Sequence, residues 1–89
     1  MQESNVLIVD VREPFEFNMG HAPGAENIPL GNIPANIDRF RNLGTPIVFY
    51  CRSGMRSGQA VAFLSGLGVR DIYNGGGLEE MVALIKVRA

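Results

Sequence analysis

Apolar residues lie along the chain in short continuous runs, which alternate with stretches of helical periodicity. The runs at residues 6–11 and Ile47–Cys51 are rich in β-branched and aromatic side chains. Continuous apolar runs of this length are typical of parallel strands that are covered on both faces. Two shorter strands are predicted at residues 25–28 and 71–74, and a run of three glycines ends the second of them.

Helices are predicted in each interval between these strands and after the last one. Residues 14–19 begin with a proline, which suits a first helical turn, and are followed by a glycine. Apolar residues at i, i+4 and i+7 from Ile33 predict one helix that is capped by Gly44. A third helix is predicted over Met55–Gly66. The fourth presents one apolar stripe, made of Leu78, Met81, Val82 and Ile85.

This alternation predicts a small three-layer α/β domain, in which helices flank a mostly parallel sheet of four to five strands. The chain has 89 residues, which fits one domain over residues 1–89. No apolar run approaches the ~18 residues of a membrane span. Residues 1–5 are polar and acidic, unlike a signal peptide. We therefore expect no membrane partner and a cytoplasmic location, with the periplasm left open if a leader was removed.

Charge and cysteine content narrow the chemistry. The formal net charge is −1, which argues against a general nucleic-acid-binding protein. The chain has one cysteine and one histidine, so neither an internal disulfide nor a cysteine-rich zinc site is expected. From Arg39 to Arg70 there are five arginines and no acidic residue. The cysteine, Cys51, lies in this basic segment.

Cys51 stands at the end of a predicted strand, a few residues before a predicted helix. The loop that follows is polar and basic, and it reads Arg52-Ser53-Gly54-Met55-Arg56-Ser57. In so tight a turn, which Gly54 eases by allowing a positive φ, backbone N–H groups and the helix dipole converge on one spot. This field is expected to lower the pKa of Cys51 and make it a nucleophile, while Arg52 and Arg56 attract an anionic substrate. The alternative is a cysteine that serves as a small buried apolar side chain, which the polar residues after it disfavour.

Three motifs resemble those of the rhodanese family of sulfurtransferases. The first consists of Asp10-Val11-Arg12, then Glu16-Phe17, then Gly20-His21-Ala22-Pro23-Gly24-Ala25-Glu26-Asn27-Ile28-Pro29. The second is the Cys51 loop with the helix after it, and the third is Asn74-Gly75-Gly76-Gly77-Leu78. Together they cover nearly the whole chain, and they are similar to those of the small single-domain, phage-shock-type bacterial members.

The resemblance implies a rhodanese-like fold and thiosulfate:cyanide sulfurtransferase activity. The Cys51 thiolate would take the outer sulfur of thiosulfate, release sulfite and become a persulfide. A thiophilic acceptor, which could be cyanide, a thiol or a protein thiol, would then remove the sulfur. The amides of residues 52–57 would cradle the persulfide, and Arg52 and Arg56 would guide the dianionic donor. The implied reaction needs no cofactor, metal or general base, and we expect a monomer or a weak dimer.

Three residues of the first motif are candidates for supporting roles. Asp10 and Arg12 end the first predicted strand, at the same edge as the cysteine if the strands are parallel. Asp10 is expected to orient the catalytic loop or to make polar contacts that support the fold. Arg12 is expected to pair with Glu13 or Glu16. His21 lies in a turn and is expected to make a structural hydrogen bond, with a Cys–His dyad as the alternative.

Two other classes of function use a similar scaffold. A cysteine phosphatase or arsenate reductase needs the spacing Cys-x5-Arg, whereas Arg56 gives Cys-x4-Arg here. The shorter loop suits a sulfur atom better than a tetrahedral oxyanion. The other alternative is a rhodanese-like module that carries sulfur or binds a partner without turnover. The intact cysteine and loop argue against binding alone, whereas a sulfur carrier would share the same persulfide chemistry.

Overall fold

The computed structural model describes the backbone of residues 6–88 and the side chains of residues 6–83. Residues 1–5, which were predicted to lack a signal peptide, and the side chain of Ile85 lie outside this part. The elements are β1 (Leu7–Asp10), α1 (Pro14–Asn18), β2 (Glu26–Asn27), a 3-10 helix (Leu30–Asn36), α2 (Ile37–Asn42), β3 (Ile47–Cys51), α3 (Met55–Gly66), β4 (Ile72–Gly77) and α4 (Leu78–Arg88).

The described strands form one parallel sheet in the order β2-β1-β3-β4. Leu7 pairs with Ile47, and at the other end of the sheet Cys51 pairs with Gly77. The predicted α/β class and parallel sheet are therefore confirmed, with four strands. Because all four strands run the same way, their carboxyl ends meet at one edge, where ligands of open α/β sheets bind.

Side chains of the central strand alternate between two apolar layers. Ile47, Phe49 and Cys51 belong to the larger layer, which also contains buried residues of the 3-10 helix, α2 and α3. Tyr50 points to the opposite face, where it packs in a smaller cluster with Ala22 and Met81. This alternation is the period of two that a strand covered on both faces requires. No helix within residues 6–88 is long and apolar enough to cross a membrane.

The structure corrects the single helix that was predicted from Ile33. A 3-10 helix over Leu30–Asn36 leads into the short α-helix Ile37–Asn42. Pro34 lies inside the 3-10 segment and accounts for the division. A proline lacks the N–H that an α-helix needs, and it disfavours the α conformation in the residue before it.

The last strand is longer than predicted. It continues through all three glycines as Ile72–Gly77, whereas the sequence predicted that the glycines end the strand. A Cβ on Gly75 would lie 2.5 Å from Met81 Sδ and 2.7 Å from Val48 Cγ1, so α4 and β3 pack directly on this backbone. Gly75 is therefore needed for the close packing of α4 and β3 against the last strand.

Candidate active site

The sulfur of Cys51 lies at the end of β3, beneath the first turn of α3. Only 1% of the residue surface is exposed. Its Sγ atom accepts a hydrogen bond from the Gly54 amide at 3.0 Å, and the Ser57 amide and hydroxyl lie at 3.5 Å. The predicted convergence of loop amides on Cys51 is thus present in the geometry.

Gly54 makes this convergence possible. It precedes the first residue of α3 with φ of 99° and ψ of −6°, a left-handed conformation that side chains other than glycine rarely adopt. A Cβ at this position would also lie 3.3 Å from the Cα of Gly76. The positive φ that the sequence analysis allowed for is therefore used, and it turns the chain back so that the loop surrounds the sulfur.

The thiol of Cys51 is acidic for a buried cysteine. Burial raises its pKa, but hydrogen bonds from the Ser57 hydroxyl and from the amides of Ser57, Ser53 and Gly54 together outweigh burial. They lower the pKa from 9.0 to about 7. A thiolate fraction is therefore present near neutral pH, which a nucleophilic cysteine requires.

Alkylation of Cys51 by iodoacetamide is expected to follow this titration. Its rate in the native protein should rise with pH through a midpoint near 7, whereas the denatured chain should titrate near 9. Because the folded-state pKa is the lower one, the thiolate stabilises the fold fully above the unfolded pKa, and this stabilisation is lost as pH falls through 7. Equal midpoints in the two states would show that the loop amides do not stabilise the thiolate.

The two loop arginines have different surroundings. Arg56 makes a two-pronged ion pair with Glu16 of α1, with N–O distances of 2.8 and 3.1 Å. The hydrogen bonds from Arg56, together with one from the Glu13 amide, lower the pKa of Glu16 to about 2. Arg52 is exposed and lines an open groove of about 890 Å³ that runs between α1 and the start of α4. Arg52 is therefore the loop arginine that faces this groove.

The expected partner of Arg12 was wrong. Its guanidinium pairs with Asp10, at 2.7 Å between Nη2 and Oδ2, rather than with Glu13 or Glu16. Nη2 also donates to the carbonyl of Gly20 at 2.8 Å. Both side chains of the pair are buried. A buried charge is stable only when a group of opposite charge pairs with it. The carboxylate of Asp10 thus binds Arg12 and not the cysteine loop, which corresponds to the fold-supporting alternative.

His21 is exposed and lies against α1. Its Nδ1 is 2.9 Å from the carbonyl oxygen of Phe17, and its ring stacks on the Phe17 ring with centroids 3.6 Å apart. The hydrogen bonds found for Cys51 in the described part of the chain do not include His21. This geometry corresponds to the structural hydrogen bond rather than to a Cys–His dyad.

Ser53 and Met55 complete the loop that was predicted to bind sulfur. Ser53 is exposed, and its amide is one of those that face the Cys51 sulfur. Met55 is the first residue of α3, and 73% of its surface is exposed. Among the described residues, no group of three or more His, Cys, Asp or Glu side chains could hold a metal ion.

The sequence analysis missed two polar side chains that hold the loop in place. The Asn74 carboxamide bonds to Gly54 and Ser57, and Glu80 Oε1 accepts a 2.6 Å hydrogen bond from the Gly77 amide. The only signal for Asn74 was its position just before the glycines, at the same sheet edge as the cysteine. Glu80 carried no signal, because an acidic residue in the first turn of a helix is common.

A Gly77→Ala variant is expected to raise the pH midpoint of Cys51 alkylation, because the new methyl group would overlap the carbonyl oxygen of Arg52 and displace the cysteine loop. Gly66→Ala is the matched control, since a Cβ there meets nothing within 4 Å and Gly66 is helical. Equal alkylation midpoints for the two variants would contradict the packing argument.

Comparisons with known proteins agree with this fold. The chain matches the rhodanese-like domain family over residues 1–83, and it belongs to that family. It is 36% identical to the thiosulfate sulfurtransferase PspE of Escherichia coli over 90% of this chain and 77% of PspE. It is 39% identical to YqhL, an uncharacterised protein of Bacillus subtilis, over 91% of this chain, and it spans 64% of the length of YqhL.

A solved structure shows the same architecture. A rhodanese with anions from E. coli is 34% identical to this chain and superposes with a TM-score of 0.76. The match covers 84% of this chain and 89% of that protein. The predicted rhodanese-like α/β fold is therefore confirmed by a structural neighbour as well as by the family match.

Proposed function

We propose that this protein is a thiosulfate sulfurtransferase that carries sulfur as a persulfide on Cys51. The observation that supports this most directly is the buried sulfur beneath the amides of Gly54 and Ser57, at the carboxyl edge of the sheet. An anionic sulfur is stabilised by such amides at a helix start. The name of PspE supports thiosulfate as the donor.

The donor half-reaction needs no general base. The Cys51 thiolate attacks the outer sulfur of thiosulfate, and a new S–S bond forms as the old one breaks. Sulfite leaves with the electron pair of the broken bond, and the enzyme retains the outer sulfur as a persulfide. A thiolate that is already populated near pH 7 suits a reaction of this kind, because no proton has to be removed during the attack.

The acceptor half-reaction restores the thiolate. Cyanide attacks the outer sulfur of the persulfide and leaves as thiocyanate, while the S–S electron pair returns to Cys51. A thiol or protein thiol would take the sulfur by the same displacement. The chain has one cysteine, so no second cysteine of this chain can discharge the persulfide, and the acceptor must come from outside it.

Arg52 and Arg56 serve the donor in different ways. Arg52 is exposed in the loop and lines the groove, so it attracts the dianion by its charge. The charge of Arg56 is balanced by Glu16 at 2.8 Å, so Arg56 contributes mainly by tying α3 to α1 beside the loop. The sequence analysis expected both arginines to guide the donor, and we propose that Arg52 has the larger part in this, because the charge of Arg56 is balanced by Glu16.

Steady-state assays with thiosulfate and either cyanide or glutathione test this function. We expect thiocyanate to form with cyanide and glutathione persulfide to form with glutathione. Double-reciprocal plots should give the parallel lines of a ping-pong mechanism. Sulfur loading on Cys51 without turnover by either acceptor would point to a sulfur carrier instead. Hydrolysis of an aryl phosphate in place of sulfur transfer would favour the phosphatase alternative.

A further inference from the structure

Asn74, in β4, contacts both segments that surround the Cys51 sulfur. Its Oδ1 accepts hydrogen bonds from the Ser57 hydroxyl at 2.7 Å and from the Gly76 amide at 3.0 Å. Its Nδ2 donates to the carbonyl of Gly54 at 3.0 Å. One side chain thus joins the last strand to Gly54 in the middle of the loop and to Ser57 at its end.

The orientation of this carboxamide is fixed by its neighbours. The Gly76 N–H is only a donor, so it must face the Oδ1 of Asn74. The Gly54 carbonyl is only an acceptor, so it must face Nδ2. A flipped amide would lose both bonds. The atom that faces Ser57 is therefore an acceptor, and Ser57 can bond to it only by donating its hydroxyl proton.

Ser57 has one hydroxyl proton and two acceptors within reach. Asn74 Oδ1 lies at 2.7 Å, the usual length of an O–H···O bond, and Cys51 Sγ lies at 3.5 Å. One proton cannot serve both acceptors fully. We propose that Asn74 is a positioning residue that competes with the Cys51 sulfur for the Ser57 proton and so limits the stabilisation of the thiolate.

This inference deepens the proposed function, on which its catalytic meaning rests. A thiolate that is stabilised less is intrinsically a better nucleophile, because nucleophilicity increases with basicity. The loop amides and the Ser57 hydroxyl together keep the thiolate populated, while Asn74 limits the part that the hydroxyl contributes by accepting its proton at the shorter distance. Asn74 thereby balances the amount of thiolate against its reactivity.

Several elements place charged groups around Cys51. The substitutions of Asn74 and Ser57 described below change none of these charged residues. Arg56 interacts attractively with the thiolate, and its own charge is balanced by Glu16. Other charged groups of the described residues near this edge include Asp10, the last residue of β1, with its partner Arg12, as well as Arg52 in the loop and Glu79 and Glu80 on α4.

A double-mutant cycle with Ser57 tests the competition. Asn74→Leu removes the Oδ1 acceptor of the Ser57 proton and keeps a side chain of similar size. The substitution is made both in the natural chain and in a Ser57→Ala variant. The readout is the pH midpoint of Cys51 alkylation. In the natural background, Asn74→Leu should lower the midpoint by about half to one unit, a roughly three- to tenfold gain in thiolate below the midpoint. In the Ser57→Ala background, the same change should shift the midpoint by less than about 0.2 units.

The cycle separates this competition from a purely structural role. Asn74→Leu also removes the bonds to Gly54 and to the Gly76 amide, but those losses occur in both backgrounds, so the difference between the two shifts reports the part that depends on the Ser57 hydroxyl. Equal shifts in the two backgrounds, or an upward shift in the natural one, would overturn the proposal. If Asn74→Leu does not fold, as judged by circular dichroism, the cycle is run with Asn74→Ala. Alkylation does not depend on sulfur transfer, so a failed transferase assay and a failed cycle are distinguishable results.

Discussion

A Cys51→Ser variant is expected to lose thiosulfate-dependent sulfur transfer by roughly three orders of magnitude or more. A serine hydroxyl in the same amide cradle stays protonated near pH 7 and cannot form the S–S bond that holds the transferred sulfur. The loss should appear in kcat, because the bond-forming group is missing while the groove and Arg52 remain. The measurement is thiocyanate production from thiosulfate and cyanide in the natural and variant proteins.

Ser65→Ala is the matched control for this variant. Ser65 lies exposed near the end of α3 that is distant from the cysteine, so its hydroxyl is expected to contribute nothing to turnover. Its activity should stay within about twofold of the natural protein. Turnover by Cys51→Ser at a rate comparable with Ser65→Ala would show that the reaction does not pass through the cysteine.

An Arg12→Ala variant is expected to destabilise the fold by about 3–5 kcal/mol. The carboxylate of Asp10 is fully buried, and the substitution removes the guanidinium that donates to both of its oxygens through Nε and Nη2. The loss also removes the bond to the Gly20 carbonyl. Because a domain has about 5–15 kcal/mol of stability in total, the urea midpoint should fall sharply.

Arg39→Ala provides the comparison on the surface. Arg39 also makes a two-pronged pair, with Glu26 at 2.6 and 2.7 Å, but its side chain is 40% exposed. Exposed pairs contribute up to about 1 kcal/mol, because water screens the charges. If the urea midpoint of Arg12→Ala is no lower than that of Arg39→Ala, the buried pair does not stabilise the fold more than the exposed pair, and the prediction is wrong.

The sequence was most informative where a local pattern determines the structure. The apolar run at Ile47–Cys51 predicted the central strand with its correct bounds, because a strand buried on both faces excludes polar residues throughout. The polar residues after Cys51, with Gly54 among them, predicted a tight anion-binding turn. The bounds of α3 were also correct, since its apolar stripe and the glycines at its ends mark it clearly.

The contacts that were missed depend on residues far apart in the chain. Arg56 and Glu16 are 40 positions apart, and Asn74 lies 17 positions from Ser57. No local spacing reveals such pairs, because the sheet order and the packing of helices decide which side chains meet. The pairing of Arg12 with Asp10 was missed for a different reason. Asp10, Glu13 and Glu16 all lie within four positions of Arg12, and the spacing alone does not show that Asp10 is the buried carboxylate.

The position of Arg56 bears on the phosphatase alternative. A phosphatase needs an arginine that faces the bound oxyanion beside the cysteine. Here the guanidinium of Arg56 is bound to Glu16 at 2.8 Å, and the loop is one residue shorter than the phosphatase spacing requires. Both observations support sulfur transfer as the proposed reaction in preference to phosphate hydrolysis.

The mass of the intact protein after treatment with thiosulfate tests the persulfide on Cys51 most directly. We expect the mass to increase by one sulfur atom per chain, and this gain should disappear when cyanide is added and thiocyanate is released. Cys51→Ser should gain nothing under the same conditions. An unchanged mass of the natural protein, or a sulfur that also appears on Cys51→Ser, would contradict the central claim.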